Sequence, residues 1–181
     1  HDIEGPYCSG RGIVVDRLEL WSVSFDDSRV NVGATVEVRF KARYDYDDVA
    51  FDDSKGTVQI EGGAATYSSA NGWWYRTIAQ SSSVTSNLYD INDLSFVDNT
   101  YSLLNKVGTS SASVITDRIK IAGMGNDDSR RDIASTGTFW TTAVLEYDNH
   151  ALGSGDSLSI SGKTMTWSAG NSRFEATDSK S

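Results

Sequence analysis

Thr35-Val36-Glu37-Val38-Arg39-Phe40-Lys41-Ala42-Arg43-Tyr44 alternates apolar and polar side chains without a break. Successive side chains of a strand point to opposite faces, so Val36, Val38, Phe40, Ala42 and Tyr44 face a core while Glu37, Arg39, Lys41 and Arg43 face water. This is the pattern of an antiparallel strand with one wet face. Outward from it, Gly12 to Phe25 reads as a strand closed by the turn Asp26-Asp27-Ser28-Arg29. Thr57 to Ile60 leads into a Gly62-Gly63 hairpin, followed by strands over Ala64 to Tyr67 and Trp73 to Ile78. Two further apolar runs lie around Leu88 to Val97 and Tyr101 to Val107, and helical periodicity is almost absent. Short strands broken by turns every roughly 8–12 residues predict a β-sandwich of immunoglobulin type.

The same order then returns about a hundred residues later. Asp16-Arg17-Leu18-Glu19-Leu20 recurs as Asp117-Arg118-Ile119-Lys120-Ile121, and Asp26-Asp27-Ser28-Arg29 recurs unchanged as Asp127-Asp128-Ser129-Arg130. Tyr46-Asp47 recurs as Tyr147-Asp148. After a one-residue deletion, Ile60-Glu61-Gly62 matches Ile160-Ser161-Gly162 and Thr66-Tyr67-Ser68 matches Thr166-Trp167-Ser168. Self-similarity at a fixed period marks a tandem array of one folding unit. The predicted fold class is therefore all-β, with two tandem immunoglobulin-like antiparallel sandwiches.

The copies are out of phase with the chain ends. Counterparts of Ser81 to Val114 are missing after Thr177, so the second sandwich is expected to lack its C-terminal strands. Conversely, Gly12-Ile13-Val14-Val15-Asp16-Arg17 aligns with Ser113-Val114-Ile115-Thr116-Asp117-Arg118, a closing strand with nothing before it to close. The expected organisation is an N-terminal extension over 1–15 acting as a donor strand, a first repeat over 16–115 and an incomplete second repeat over 116–181.

The run from Val30 to Asp47 ("V-x-V-G-x-x-V-x-V-x-F-x-A-x-Y-x-Y-D"), the Gly56–Gly62 hairpin and the Asn71-Gly72-Trp73-Trp74 turn resemble the immunoglobulin-like repeats of large prokaryotic, especially archaeal, cell-surface proteins. The resemblance covers about Ile13 to Thr177. The second repeat departs from it, with Gly137 in place of the strand residue Val36 and Ser172-Arg173-Phe174 in place of Gly72-Trp73-Trp74. In design the chain is also similar to extracellular filament subunits joined by donor-strand exchange. The resemblance implies a fold and a surface location, and carries no chemistry.

Composition narrows the function classes. A net charge of −9 over 181 residues argues against nucleic-acid binding, which needs clustered Lys and Arg. No apolar run approaches the roughly 20 residues of a membrane-spanning helix. The chain opens on His1 rather than Met, as expected of a processed or trimmed product, whether by removal of a secretory signal or by a cut within a longer sequence. Cys8, the single cysteine, can bond only to another chain.

Catalysis finds little support. His150 reads as a solvated loop residue, Cys8 has no partner in sequence, and no nucleophile elbow, zinc-protease helix or P-loop motif occurs. An enzyme is not expected. Acidic pairs at Asp26-Asp27, Asp45 with Asp47-Asp48, Asp52-Asp53, Asp90 with Asp93 and Asp127-Asp128 have two readings. They are ordinary turn caps, the preferred reading, or oxygen ligands for calcium, the one cofactor the sequence leaves open. Tyr67 and Trp74, aligned with Trp167 and Phe174, read as core; Trp73 must face the other way and is the best position for a ligand or neighbour. On the outward face of the second long strand, Thr138, Trp140, Thr142 and Val144 replace the charges of the first. An apolar patch there marks an interface through Trp140 and Val144.

The expected function is an extracellular structural subunit that polymerises head to tail. Tyr7, Cys8, Ile13, Val14 and Val15 of one copy would add as a strand to the open second sandwich of the next, with Ile13 and Val15, or Val14 alone, facing its core. The alternative is a fragment of a longer tandem surface protein, adhesive or carbohydrate-binding, with a glycan or surface partner.

Overall fold

A computed structural model describes residues 14–103, 105–127, 130 and 135–179. They form an all-β protein, and among them the one helical element is a single 3-10 turn at Ile91–Asp93. In chain order the strands are β1 (Leu18–Phe25), β2 (Arg29–Asn31), β3 (Thr35–Tyr44), β4 (Gly56–Ile60), β5 (Gly63–Ala64), β6 (Thr66–Ser68), β7 (Trp73–Ala79) and β8 (Thr85–Tyr89). They continue as β9 (Leu94–Asp98), β10 (Lys106–Gly108), β11 (Ala112–Asp117), β12 (Ile119–Asn126), β13 (Thr136–Leu145), β14 (Leu158–Ile160), β15 (Lys163–Ser168) and β16 (Arg173–Ser179). By contacts the chain gathers into two compact units whose borders cut across the sequence repeat. Residues 27–36, 79–87 and 114–181 form the second unit, and the remainder forms the first.

In the first unit the decisive run is β3, with its even-numbered residues buried from Val36 to Tyr44 as the alternation requires. It lies in a five-stranded sheet ordered β10-β1-β3-β7-β6, with β5-β4-β9 as a separate sheet. The core between them is aromatic. Phe51 meets Tyr44 edge-on at 5.9 Å and Phe96 at 5.8 Å, and lies 6.1 Å from Trp74. Two polar groups enter this core with partners, as buried polar atoms must. Trp74 Nε1 donates to the Phe51 carbonyl at 2.7 Å, and the Tyr44 hydroxyl donates to Asp98 Oδ1 at 3.0 Å. Desolvation pushes the Tyr44 hydroxyl up to about 12. Burial works to raise Asp98 as well, but the backbone N–H groups of Thr100, Leu103 and Tyr101 and the Tyr44 hydroxyl outweigh it and hold the carboxyl below its ordinary range.

In the second unit β12-β13-β16-β15-β14 form one sheet and β2-β11-β8 another. The core of the larger sheet is Ala143, Leu152, Leu158, Met165 and Phe174, with Trp167 5.1 Å from Phe174. Turn geometry repeats as closely as the residues do. The hairpin residues Glu61-Gly62 and Ser161-Gly162 all have positive φ, the conformation a two-residue hairpin needs for its twist to match that of its strands. That shifts the turn one residue ahead of the Gly62-Gly63 expected from sequence. The first strand also differs from expectation: it starts at Leu18, and Val14 to Arg17 are irregular.

Several acidic residues serve as caps. Asp27, Asp47, Asp52 and Asp90 each accept a hydrogen bond from the backbone N–H two residues on. These are Asx turns, the local bonding that makes Asp common in loops.

Candidate assembly surfaces

Equivalent strands of the two copies are buried very differently. In β1, Leu18 pairs with Tyr44 and Leu20 with Ala42; in β12, Ile119 pairs with Leu145 and Ile121 with Ala143. Directly opposed residues share a face. Tyr44, Ala42 and Ala143 are buried, so all four aliphatic side chains point to a core face. Both strands even carry the same bulge, between Leu20 and Ser22 and between Ile121 and Gly123. Yet Leu18 and Leu20 are 1% and 0% exposed, whereas Ile119 and Ile121 are 47% and 38% exposed.

The cause lies in what flanks and covers each strand. β10 runs parallel to β1, pairing Lys106, Val107 and Gly108 with Leu18, Glu19 and Leu20. Ser95, Phe96 and Leu103 line a small cavity together with Leu18, so β9 and the segment after it lie over that side chain. β12 is the end strand of its sheet. Among the described residues this edge has no partner strand, and it coincides with the apolar face, the combination that invites another strand. Leaving two half-exposed isoleucines on a core face forgoes roughly 1 kcal/mol of burial for each.

Of the residues expected to interact, Tyr7, Cys8 and Ile13 lie outside the described residues. Val14 and Val15 are both exposed and belong to no strand. Their aligned strand β11 pairs in parallel with β2 and buries Val114 and Thr116, with Ile115 only half-buried. Trp140 and Val144 are half-buried. The Trp140 indole lies over Gly125, where an added Cβ would come within 2.6 Å of its ring, and Arg173 stacks on it at 5.0 Å. The glycine opposite the tryptophan is the signal for this packing: Gly125 pairs with Trp140 across the strands.

Trp73 is half-buried, while Trp74 is buried. Lys41 Nζ sits 4.5 Å above the Trp73 ring and 5.4 Å from Trp21, and Arg43 lies over Trp21 at 5.3 Å. Cations stacked on aromatic faces occupy this side of the sheet. Trp21 was not legible as part of it, because the β1 bulge sets its direction.

A second cluster that sequence reasoning missed lies within the second unit. Arg29 Nη2 donates to Asp148 Oδ2 at 2.6 Å, and its guanidinium stands 6.0 Å from the Tyr147 ring. Arg29 Nε and Asp117 Oδ2, both buried, face each other at 3.5 Å, an ion pair longer than a hydrogen bond. The hydrogen bond from Arg29 holds the Asp148 carboxyl below its ordinary range. Arg29 comes from the first sequence copy and its three partners from the second, so the cluster ties one copy of the repeat to the next.

No family model matches the chain, and no curated protein matches it. Among solved structures it is similar to FdeC, an Escherichia coli adhesin, at 14% identity and a TM-score of 0.40. The likeness covers 90% of this chain and 54% of that one, so the chain spans about half the length of the adhesin structure. A likeness of that degree bears on neither chemistry nor partner. No helix among the described residues is long and apolar enough to cross a membrane, and no three of their His, Cys, Asp or Glu side chains are grouped to hold a metal ion.

Proposed function

We propose that the chain is a non-enzymatic, extracellular structural subunit of tandem immunoglobulin-like sandwiches that polymerises head to tail by strand addition. The observation that carries this reading is the exposed core face of β12 beside an edge with no partner among the described residues, set against the buried face of β1. The donor is the N-terminal segment of another copy. Residues 5–7 stand in the repeat where 106–108, the β10 partner of β1, stand in the first copy. Ile13 to Val15 stand where Val114 to Thr116 of β11 stand. The segment from Tyr7 to Val15 is therefore the donor that fills the β11 position; beside β12, Pro6 stands for Val107 and supplies no backbone N–H to the ladder. By the burial of β11, Ile13 and Val15 turn inward and Val14 turns to the side. Backbone N–H and C=O groups of the edge gain ladder bonds while apolar side chains are covered, the two gains of strand addition. Donor and acceptor lie at different places on the chain, so the contact is heterologous and extends into a filament or a ring.

Deleting residues 1–15 tests this. Sedimentation and electron microscopy should show polymers of the full chain and none of the truncated one, whose thermal unfolding still shows the first unit folded. Polymers that survive the deletion would overturn the reading and leave the alternative, that a further segment of a longer tandem surface protein covers β12.

A further inference from the structure

The outward face of the large sheet in the first unit carries a groove of about 390 Å³, lined by Glu37, Arg39, Ser68, Asn71, Trp73 and Tyr75. Sites for small ligands usually measure roughly 300–1,000 Å³. Its place follows from alternation. Glu37 and Arg39 are wet-face residues of β3, Trp73 and Tyr75 flank the buried Trp74 on the adjacent strand β7, and Ser68 of β6 pairs with Trp73. Lys41 extends this face along β3 toward β1, with its ammonium against the rings of both Trp73 and Trp21. Three cations share the face and differ in what neutralises them. Arg39 pairs with Glu37, and Arg43 pairs with Glu19 and Asp48. Lys41 pairs with no carboxylate among the described residues and has the two indoles instead.

The second copy builds the same three strands and satisfies their polar groups from within. Asn171 Nδ2 donates to Glu175 Oε1 at 2.9 Å and to Ser168 Oγ at 3.3 Å. Arg173 pairs with Glu175 and Asp127 while lying over Trp140. In register, Asn71, Trp73, Tyr75 and Arg39 take the places of Asn171, Arg173, Glu175 and Trp140. Tyr75 in place of Glu175 deprives the Asn71 side chain of its carboxylate acceptor. Among the described residues, neither the Asn71 side-chain amide nor the Tyr75 hydroxyl has a hydrogen-bond partner.

We propose that this groove binds a glycan chain bearing carboxylate groups, with sugar rings against Trp73 and Trp21 and a carboxylate on Lys41. The site goes beyond strand addition and does not depend on it. A pyranose ring offers a C–H face to a flat aromatic side chain and a rim of hydroxyls that both donate and accept. The groove answers each feature. It has indole surface, donors at Asn71 and Arg39, an acceptor at Glu37, and hydroxyls at Ser68 and Tyr75 that do both. Charge complementarity selects an acidic chain, because a half-buried ammonium without a counter-ion attracts a carboxylate more strongly than one in open water. Nucleic acids and anionic membranes ask instead for clustered cations, and the other two cations of this face are already paired.

The test is titration calorimetry of the full chain with short oligomers of galacturonate, glucuronate and mannuronate, each beside its methyl ester as the uncharged form of the same sugar. At least one acid should bind, change the tryptophan fluorescence, and be preferred over its ester about threefold, the size expected of one exposed charge pair. Lys41→Gln should abolish that preference and leave ester binding as in wild type, and Lys41→Arg should keep it. Trp73→Ala should weaken acid and ester alike by about tenfold or more, and Trp73→Phe, which keeps a flat ring, by about threefold or less. Thermal unfolding of each variant is followed alongside, and Trp73→Phe and Lys41→Gln carry the test if Trp73→Ala fails to fold. No binding of any of the three acids, equal affinity for acid and ester, or affinity indifferent to positions 41 and 73 would each overturn the proposal. Equal affinity for inorganic polyphosphate would overturn it too, by showing charge attraction without recognition of a sugar.

Discussion

β1 and β12 are close to the same strand twice, with the same bulge, the same pairing to a ten-residue partner and aliphatic residues at the same two positions. Their other residues differ, but at these two aliphatic positions it is the neighbouring segments that decide whether the side chains are core or surface. Alternation and register place a residue on a face. Burial of that face requires a second layer, which β1 has in β9 and the segment after it, with β10 closing its edge, and which β12 lacks among the described residues.

The largest expected effect that sharpens this contrast is a matched pair of truncations. Leu20→Ala should destabilise the first unit by about 2–5 kcal/mol, the usual cost of emptying a packed aliphatic site. Ile121→Ala in the unassembled chain should cost less than about 1 kcal/mol, because little burial is lost. Denaturant unfolding of the two variants measures both, and equal costs would break the comparison.

A smaller effect comes from the polar pair that only the first copy has. Tyr44 reaches Asp98, whereas its counterpart Leu145 has no such hydroxyl. Tyr44→Phe should therefore cost roughly 1–2 kcal/mol, since it removes one bond from a buried carboxylate, and Leu145→Phe should show no comparable polar loss. The same carboxylate gives an acid signature. Its folded pKa is depressed, so its contribution to stability is complete above the ordinary carboxylate range and is lost as pH falls through the lower folded value. Melting temperature followed from neutral pH down to about pH 3 should fall more steeply in wild type than in Asp98→Asn. Parallel slopes would show that Asp98 is not the group responsible.

Much of this architecture was legible in the residues. Alternation from Val36 to Tyr44 gave the strand and its core face, and the repeat located the second long strand, whereas the first hairpin turn reads from the residues one position late, at Gly62-Gly63. Trp74 and Phe174, aligned as shared core, are buried in both copies. What escaped was set by contacts between distant segments. The direction of Trp21 depends on a bulge, and the covering of Trp140 depends on a glycine across the ladder and an arginine from another strand. The Arg29 joint uses four residues that the repeat pairs off between copies, and alignment treats such residues as equivalents rather than as partners. Tyr44 looked apolar in a run of alternating residues, and only Asp98, 54 positions on, gives its hydroxyl a role.

The central claim is that the N-terminal segment of another copy covers the edge and face of β12. Amide hydrogen exchange reads this directly, in protein lacking residues 1–15 with and without a synthetic peptide of residues 1–17. The account predicts that the peptide slows exchange across Ile119 to Met124 and leaves Leu18 to Val23 unchanged. Exchange in β12 that stays the same at saturating peptide would contradict it.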